Sequence, residues 1–234
     1  FLKEIYITAV KEGATVINVA DTVGYADPEY FGKLVFQVNN WVKESNPDAR
    51  VSVHCHNDLG LAFANTLFGI KNGARQVECT ILGIGERAGN CALEQIVAFS
   101  KTHPRLYTTN VNSKMLYHAA NIVEEVTGVK NPLAPVVGES AFSHKSGIHQ
   151  HSIINNRCSY EVLNPDDFGR KSQIVIGPCS GYHGVIAKAA ELGYNLTKEK
   201  ATVVINRVSA MVKERIKKRF SDSDIKEILE SISG

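Results

Sequence analysis

Two histidines stand two residues apart in "VSVHCHNDLGL", residues 51–61, with Asn57 and Asp58 directly behind them. On a helix, positions i and i+2 point about 200° apart, whereas on a strand they share one face, close enough to share an ion. His54 and His56 are therefore candidate metal ligands if the segment is a strand. The alternative is a pair of imidazoles hydrogen-bonded near a strand end, and the motif alone leaves both readings open. A second stretch, "GIGERAGNCALEQ", spans residues 83–95 and sets three glycines around Glu86, Arg87 and Asn90. Those glycines permit close backbone approach. Asn90 is either the N-cap of a following helix or an amide oxygen offered to an ion held by the two histidines. Two imidazoles and an amide oxygen suit Zn, Mn or another divalent ion. In "ADTVGY", Thr22 offers a hydroxyl to a substrate carboxylate, or simply finishes a strand.

The elements that must position these residues alternate with regularity over the first hundred positions. "LKEIYITAVKEGA" is amphipathic and closed by Gly13, and "TVINVADTVGY" reads as a buried strand. Asp27-Pro28 opens a second helix as N-cap and first helical position, with Phe31, Leu34, Val35, Val38 and Val42 at helical spacing. "ARVSVHCHND" is a second strand, "LAFANTLFGIKNGA" a helix closed by Gly73, "QVECTILG" a third strand and "CALEQIVAFSK" a further helix. Strand–helix alternation with short connections implies parallel strands covered by helices.

Parity within the strands refines this. Ile17, Val19, Val51, Val53, Cys55, Val77, Cys79 and Ile81 occupy one parity; Asn18, Thr22, Ser52, His54, His56, Glu78 and Thr80 occupy the other. An open doubly wound sheet meets helices on both faces and asks for apolar residues in both parities. A (β/α)8 barrel turns one parity into a closed interior, with functional groups at the C-terminal ends of the strands. The expected fold class is therefore α/β, the C-terminal part of a TIM barrel. Such a barrel takes about 250 residues and eight strands, so either the other strands precede Phe1 or the barrel reading is wrong.

After residue 105 the alternation stops. "SKMLYHAANIVEEVT" predicts a helix from Ser113, and residues 131–156 read as a polar loop with three histidines. "YEVLNPDDFG" reads as a short strand into a turn, and "SGYHGVIAKAAELGY" as a helix. Thr197 caps a longer helix running to about Phe220, and Ser223 starts a final one. The predicted divisions are a partial barrel over 1–105 and a small, mostly helical α+β linker domain with subdomains 106–165 and 166–234.

Composition excludes several classes. A net charge of +2 argues against a nucleic-acid surface, and no apolar run reaches a membrane-spanning length. Five cysteines without a CxxC pair read as reduced thiols in a cytoplasmic protein, or an organellar one if the source is eukaryotic.

Taken in order, "ADTVGY", "HCHNDLGLA", "GARQVECTILGIGERAGNCALE", "ESAFSHKSGIHQ" and "YEVLNPDDFG" closely resemble the 2-isopropylmalate synthase and homocitrate synthase family. The resemblance implies metal-dependent condensation of acetyl-CoA with a 2-oxo acid in a TIM barrel. It implies a divalent ion (Zn, Mn or Mg) held by His54, His56 and Asn90, with Thr22 at the oxo acid's carboxylate and Glu86 and Arg87 as supporting, substrate-side loop residues. His149 and Tyr160 match residues that act near the condensation centre, reaching over a partner subunit's site in a homodimer. On this chain alone, His149 is equally a structural hydrogen-bonding residue and Tyr160 a half-buried aromatic. The family carries a further Asp ligand, an Arg and a Glu on an earlier strand, and many members a leucine-binding C-terminal domain; neither lies within these residues. His151 stands where the family often has an acidic residue, and "GPCSGYHGV" departs from its basic version. Other readings are a homocitrate or citramalate synthase, a hydroxymethylglutaryl-CoA lyase-like enzyme, and a truncated homologue that binds a partner.

Overall fold

Helix α1 (Leu2–Lys11) ends where Gly13 turns left-handed, with φ at 104°, and the chain enters β1 (Val16–Asp21). Asp27 then sets the start of α2 (Pro28–Ser45): its carboxylate accepts the backbone N–H of Glu29 at 3.0 Å and of Tyr30 at 3.1 Å. These bonds satisfy donors that the first helical turn cannot pair internally. β2 (Arg50–Cys55), α3 (Ala62–Lys71), β3 (Gln76–Glu78) and α4 (Leu93–Thr102) follow. In this computed structural model, which describes residues 1–217 and 219–233, the chain divides into two compact units.

The first unit comprises residues 1–131 with 135–137. Its centre is a parallel sheet in the order β1–β2–β3, with Ala20 opposite His54 and His54 opposite Glu78. The expected parity holds in β1 and β2, where Ile17, Val19, Val51, Val53 and Cys55 are buried with Phe31, Val35, Val38 and Val42 of α2 in one core; Val77 and Cys79 are only partly buried, and Ile81 lies in a 3-10 turn. Burying each such side chain contributes about 1.5–3 kcal/mol. The other face carries Asn18, Ser52, His54 and Glu78. Helix α5 (Leu116–Thr127) also belongs here, packed on a 3-10 turn at Ile81–Gly83, so the expected break at 105/106 falls inside this unit.

The second unit comprises 132–134 and the chain from Gly138 onward. It pairs two short parallel strands, β4 (Ser143–His144) and β5 (Gln173–Ile174), with α6 (Gly147–Asn155), α7 (Tyr182–Glu191), α8 (Lys198–Lys213) and α9 (Asp222–Ser233). Val185, Ala189, Ala201, Val204, Ile225 and Leu229 form its core. The expected break at 165/166 lies within this unit.

Several expectations need correction. β1 stops at Asp21, ahead of left-handed Gly24, and β3 at Glu78, ahead of Leu82 and Gly83, both with positive φ. Helix α5 begins as a 3-10 turn at Ser113–Met115, capped by Asn112. The polar stretch contains α6, and "YEVLNPDDFG" is a turn with a 3-10 helix at Pro165–Phe168 rather than a strand. α8 ends at Lys213, where Arg215 takes a left-handed φ of 57°, short of the expected Phe220.

Trp41, the sole tryptophan, lies in α2 and reports on the first unit. Phe31→Ala leaves a cavity beneath that helix and is expected to cost about 3–5 kcal/mol. Urea unfolding followed by Trp41 fluorescence measures it; a loss below 1 kcal/mol, roughly the scale of a surface substitution, contradicts the assigned core.

Candidate functional site

The backbone ladder does not end with β2. Cys91 N–H donates to the Cys55 carbonyl at 3.0 Å, Asn57 N–H to the Gly89 carbonyl at 2.9 Å, and His56 pairs with Asn90 across an antiparallel bridge. His56 N–H also donates to the Asp21 carbonyl at 3.2 Å, so the end of β2 is tied to β1 on one side and to the glycine-rich loop on the other. This ladder sets Asn90 beside the histidines.

The two imidazoles meet through their Nε2 atoms, 3.2 Å apart, with ring planes at 75°. His54 Nδ1 lies 3.9 Å from a Glu78 carboxylate oxygen. Glu78 is itself fixed: one of its oxygens accepts Asn18 Nδ2 and Ser52 Oγ, both at 2.7 Å. Asn90 is not the cap of α4, whose N-cap is Ala92. Its Nδ2 donates to the Ile84 carbonyl at 3.0 Å, while its Oδ1 and His56 Nδ1 are buried with no partner. An orphaned buried acceptor costs free energy unless something supplies a positive charge or a proton. Two facing ring nitrogens and an unpaired amide oxygen therefore fit a divalent ion. Among the described residues, no group of three or more His, Cys, Asp or Glu side chains gathers to hold a metal.

The cysteines offer no thiolate nearby. Burial pushes the Cys55 and Cys91 thiols up to about 12 and Cys79 up to about 11. Burial likewise raises the Glu94 carboxyl, which accepts the backbone N–H of left-handed Leu82 at 3.1 Å and so pins the start of the loop.

The other expected residues fall as follows. Thr22 is exposed just past β1, and its carbonyl accepts Arg87 Nη2 at 2.9 Å. Arg87 also forks onto Asp58, Nε to Oδ1 at 2.7 Å and Nη2 to Oδ2 at 2.9 Å. That hydrogen-bonded pair lowers the Asp58 carboxyl and raises the Arg87 guanidinium. Glu86 is exposed, 3.9 Å from Arg87 Nη1. In the second unit, His149 stacks on Tyr160 with ring centres 4.1 Å apart, both rings exposed.

Three functional neighbours escape sequence reading. Asp21 is buried; its carboxylate accepts the N–H of Tyr25 and Ala26 and the Asn65 side chain at 3.0 Å, shaping the loop after Thr22. Glu78 is read only as a polar strand position. Glu161, beside Tyr160, receives His144 Nε2 at 2.9 Å, Arg157 Nε at 2.8 Å and Ser172 Oγ at 2.8 Å. Burial alone would raise that carboxyl, but the His144, Ser172 and Arg157 bonds together hold it low. All three lie inside the quoted motifs, and parity places Glu78 on the polar face, but no local pattern shows which partners each carboxylate holds.

Residues 1–123 match the HMGL-like family model, and residues 136–216 match the model described as homocitrate synthase post-HMGL domain-like. The 2-isopropylmalate synthase of Aquifex aeolicus is 44% identical over 234 residues, covering 98% of this chain and 44% of that protein. Methylthioalkylmalate synthase 1-1, chloroplastic, of Eutrema japonicum is 42% identical over 241 residues, covering 98% and 46%. Among solved structures, an HMG-CoA lyase from Bacillus subtilis is 25% identical with a TM-score of 0.46, over 54% of this chain and 43% of that one. The chain thus spans less than half the length of these curated relatives.

Glu94 gives a pH signature. Its carboxyl is raised in the folded chain, so its contribution to stability is complete below about pH 4.5, the ordinary value, and declines as pH rises through the raised one. Glu94→Gln keeps the acceptor for Leu82 N–H and removes the titration. Urea midpoints read by Trp41 between pH 4 and 8 are expected to fall more steeply in the wild type than in the variant; parallel profiles count against a neutral buried carboxyl.

Proposed function

Because the chain belongs to the HMGL-like family, we propose that it forms the second half of the catalytic barrel and the linker region of a 2-isopropylmalate synthase. In this reading residues 1–105 are the last three β/α units of a (β/α)8 barrel and 106–165 and 166–234 the linker subdomains. The observation that carries the proposal is the pair of Nε2 atoms 3.2 Å apart, next to a backbone bridge from His56 to Asn90, whose amide oxygen is buried and unpaired. Support for the particular activity comes from the 2-isopropylmalate synthases at 44% identity.

His54, His56 and Asn90 are the residues that would hold a divalent ion. When bound, such an ion supplies Lewis acidity toward a 2-oxo acid's ketone and carboxylate oxygens. The chain's own groups do the rest. Glu78 sits behind His54 Nδ1 and favours the tautomer that leaves Nε2 free. Thr22 offers a hydroxyl at the mouth of the site to the substrate carboxylate, with Glu86 and Arg87 on the neighbouring loop. His149 and Tyr160, stacked and exposed, suit proton transfer at the condensation centre of a second copy of the chain in a homodimer. A proton leaves the acetyl methyl group, the carbanionic carbon bonds to the ketone carbon, and water then cleaves the thioester to release CoA thiol. The product serves leucine biosynthesis in a cytoplasmic enzyme. Methylthioalkylmalate synthase similarity at 42% identity makes a longer, sulfur-bearing oxo acid the second reading of the same chemistry.

Thiol release from acetyl-CoA, measured on the full-length gene product with divalent metal and a panel of 2-oxo acids, tests the reaction. Activity highest with 2-oxoisovalerate is expected; no release with any acid refutes the synthase reading, and preference for a methylthio acid selects the alternative. In the same full-length product, His56→Ala is expected to abolish retention of Zn²⁺ or Mn²⁺ in equilibrium dialysis. Unchanged stoichiometry removes the ligand assignment.

A further inference from the structure

We propose that Asp58 and Arg87 are positioning residues, a clasp through which one guanidinium holds together the three loops that carry Thr22, His56 and Asn90. The inference rests on the metal-site reading above and adds residues to it.

The geometry is specific. Arg87 projects from the loop after β3, forks onto Asp58 in the loop after β2 at 2.7 and 2.9 Å, and reaches the Thr22 carbonyl in the loop after β1 at 2.9 Å. Each attachment lies close to a site residue in sequence: Asp58 two positions after His56, Arg87 three before Asn90, and Thr22 itself. Isolated surface ion pairs contribute little. This one is bidentate and carries a third contact to a carbonyl, which adds direction as well as attraction.

The glycine-rich loop needs such a restraint. Leu82 and Arg87 both hold left-handed backbone, at φ of 60° and 58°, which non-glycine residues adopt only when their surroundings impose it. Asn90 N–H donates to the Gly83 carbonyl at 2.9 Å, closing the loop on itself, so a shift at Arg87 moves Asn90. The first loop is fitted to the clasp as well. A Cβ on Gly24 would stand 2.5 Å from Asp58 Oδ2 and 2.7 Å from Asp58 N, so only glycine leaves room for Asp58 there. With Nε and Nη2 held by Asp58 and the Thr22 carbonyl, Nη1, 3.9 Å from Glu86, is the nitrogen left for the substrate side.

The test uses the 234-residue chain with Asp58→Asn, which keeps the shape and loses the charge, Arg87→Lys, which keeps the charge and loses the fork, and their double variant. Zn²⁺ affinity is measured by competition with a chromophoric chelator, with His56→Ala as the site-deleted reference. Amide hydrogen exchange over residues 22–24 and 83–90 is followed without metal. Each single variant is expected to weaken Zn²⁺ binding by about 10- to 100-fold, the scale for groups that orient metal ligands. The double variant should be no worse than the poorer single one, because the pair acts as a unit. Exchange in both loops should quicken by about tenfold or more while the Trp41 unfolding midpoint stays near wild type. Wild-type affinity and exchange in Arg87→Lys overturn the clasp. If the wild type binds Zn²⁺ no better than His56→Ala, the metal reading fails, and exchange alone then decides: faster loops uphold the clasp and unchanged loops overturn it.

Discussion

The backbone hydrogen bonds that carry β2 beyond Cys55 are what the site depends on. Parallel strands pair in a fixed register, so once Ala20 lies opposite His54 and His54 opposite Glu78, the side chains that share a face are determined. A slip of one residue would turn His54 and His56 into the helix-packed core and bring Cys55 outward. The same register delivers His56 to the Asp21 carbonyl and Cys55 to Cys91, which brings Asn90 alongside. Hydrophobic burial of Val51, Val53 and Cys55 against α2 therefore does two things at once. It stabilises the sheet, and it selects the one register in which the polar parity converges.

That polar face is costly to build. Ser52 is fully buried, and Asn18, Ser52 and Glu78 would each lose hydration without recompense if they were not joined. Their bonds at 2.6–2.7 Å form a closed set spanning all three strands, and it ends at the carboxylate behind His54. The network is thus structural at one end and chemical at the other. In the second unit Glu161 has the same form: a carboxylate with little exposure, held by three donors, directly beside the exposed Tyr160.

What the sequence makes legible is what local periodicity controls. Strand parity, the Asp27 cap and the stop at Gly13 depend on neighbours within a few residues, and each is found where those rules put it. The contacts that span long separations left no such trace. Arg87 and Asp58 lie 29 residues apart, and nothing near either announces the other. Asn90 satisfied the rule for a cap, yet the bridge to His56 claims it and α4 starts from Ala92. Helix α6 was hidden because its glycine, histidines and asparagine show no apolar stripe. Tertiary bonds mark it instead: Gln150, fully buried, donates to the His144 and Val175 carbonyls and to Ser180 Oγ, and Gly184 leaves the space it needs. For α8 the stripe overran the helix, since Ile216 continues the pattern but is exposed beyond left-handed Arg215.

The charge state of the interior bears on what the proposed donors His54, His56 and Asn90 can do. Three thiols lie in or beside the sheet core, but burial keeps them protonated, and Glu94 is pushed toward its neutral form as well. The three groups proposed to hold a divalent ion are imidazoles and an amide, and the Glu78 carboxylate stands 3.9 Å behind His54 Nδ1 rather than among them. A thiolate at position 54 or 56 would neutralise much of the ion's charge and weaken the polarisation of a bound carbonyl. Segregation of parity therefore separates more than apolar from polar. It buries Cys55, between the two histidines, where its thiol is pushed up to about 12, and leaves His54 and His56 on the polar face.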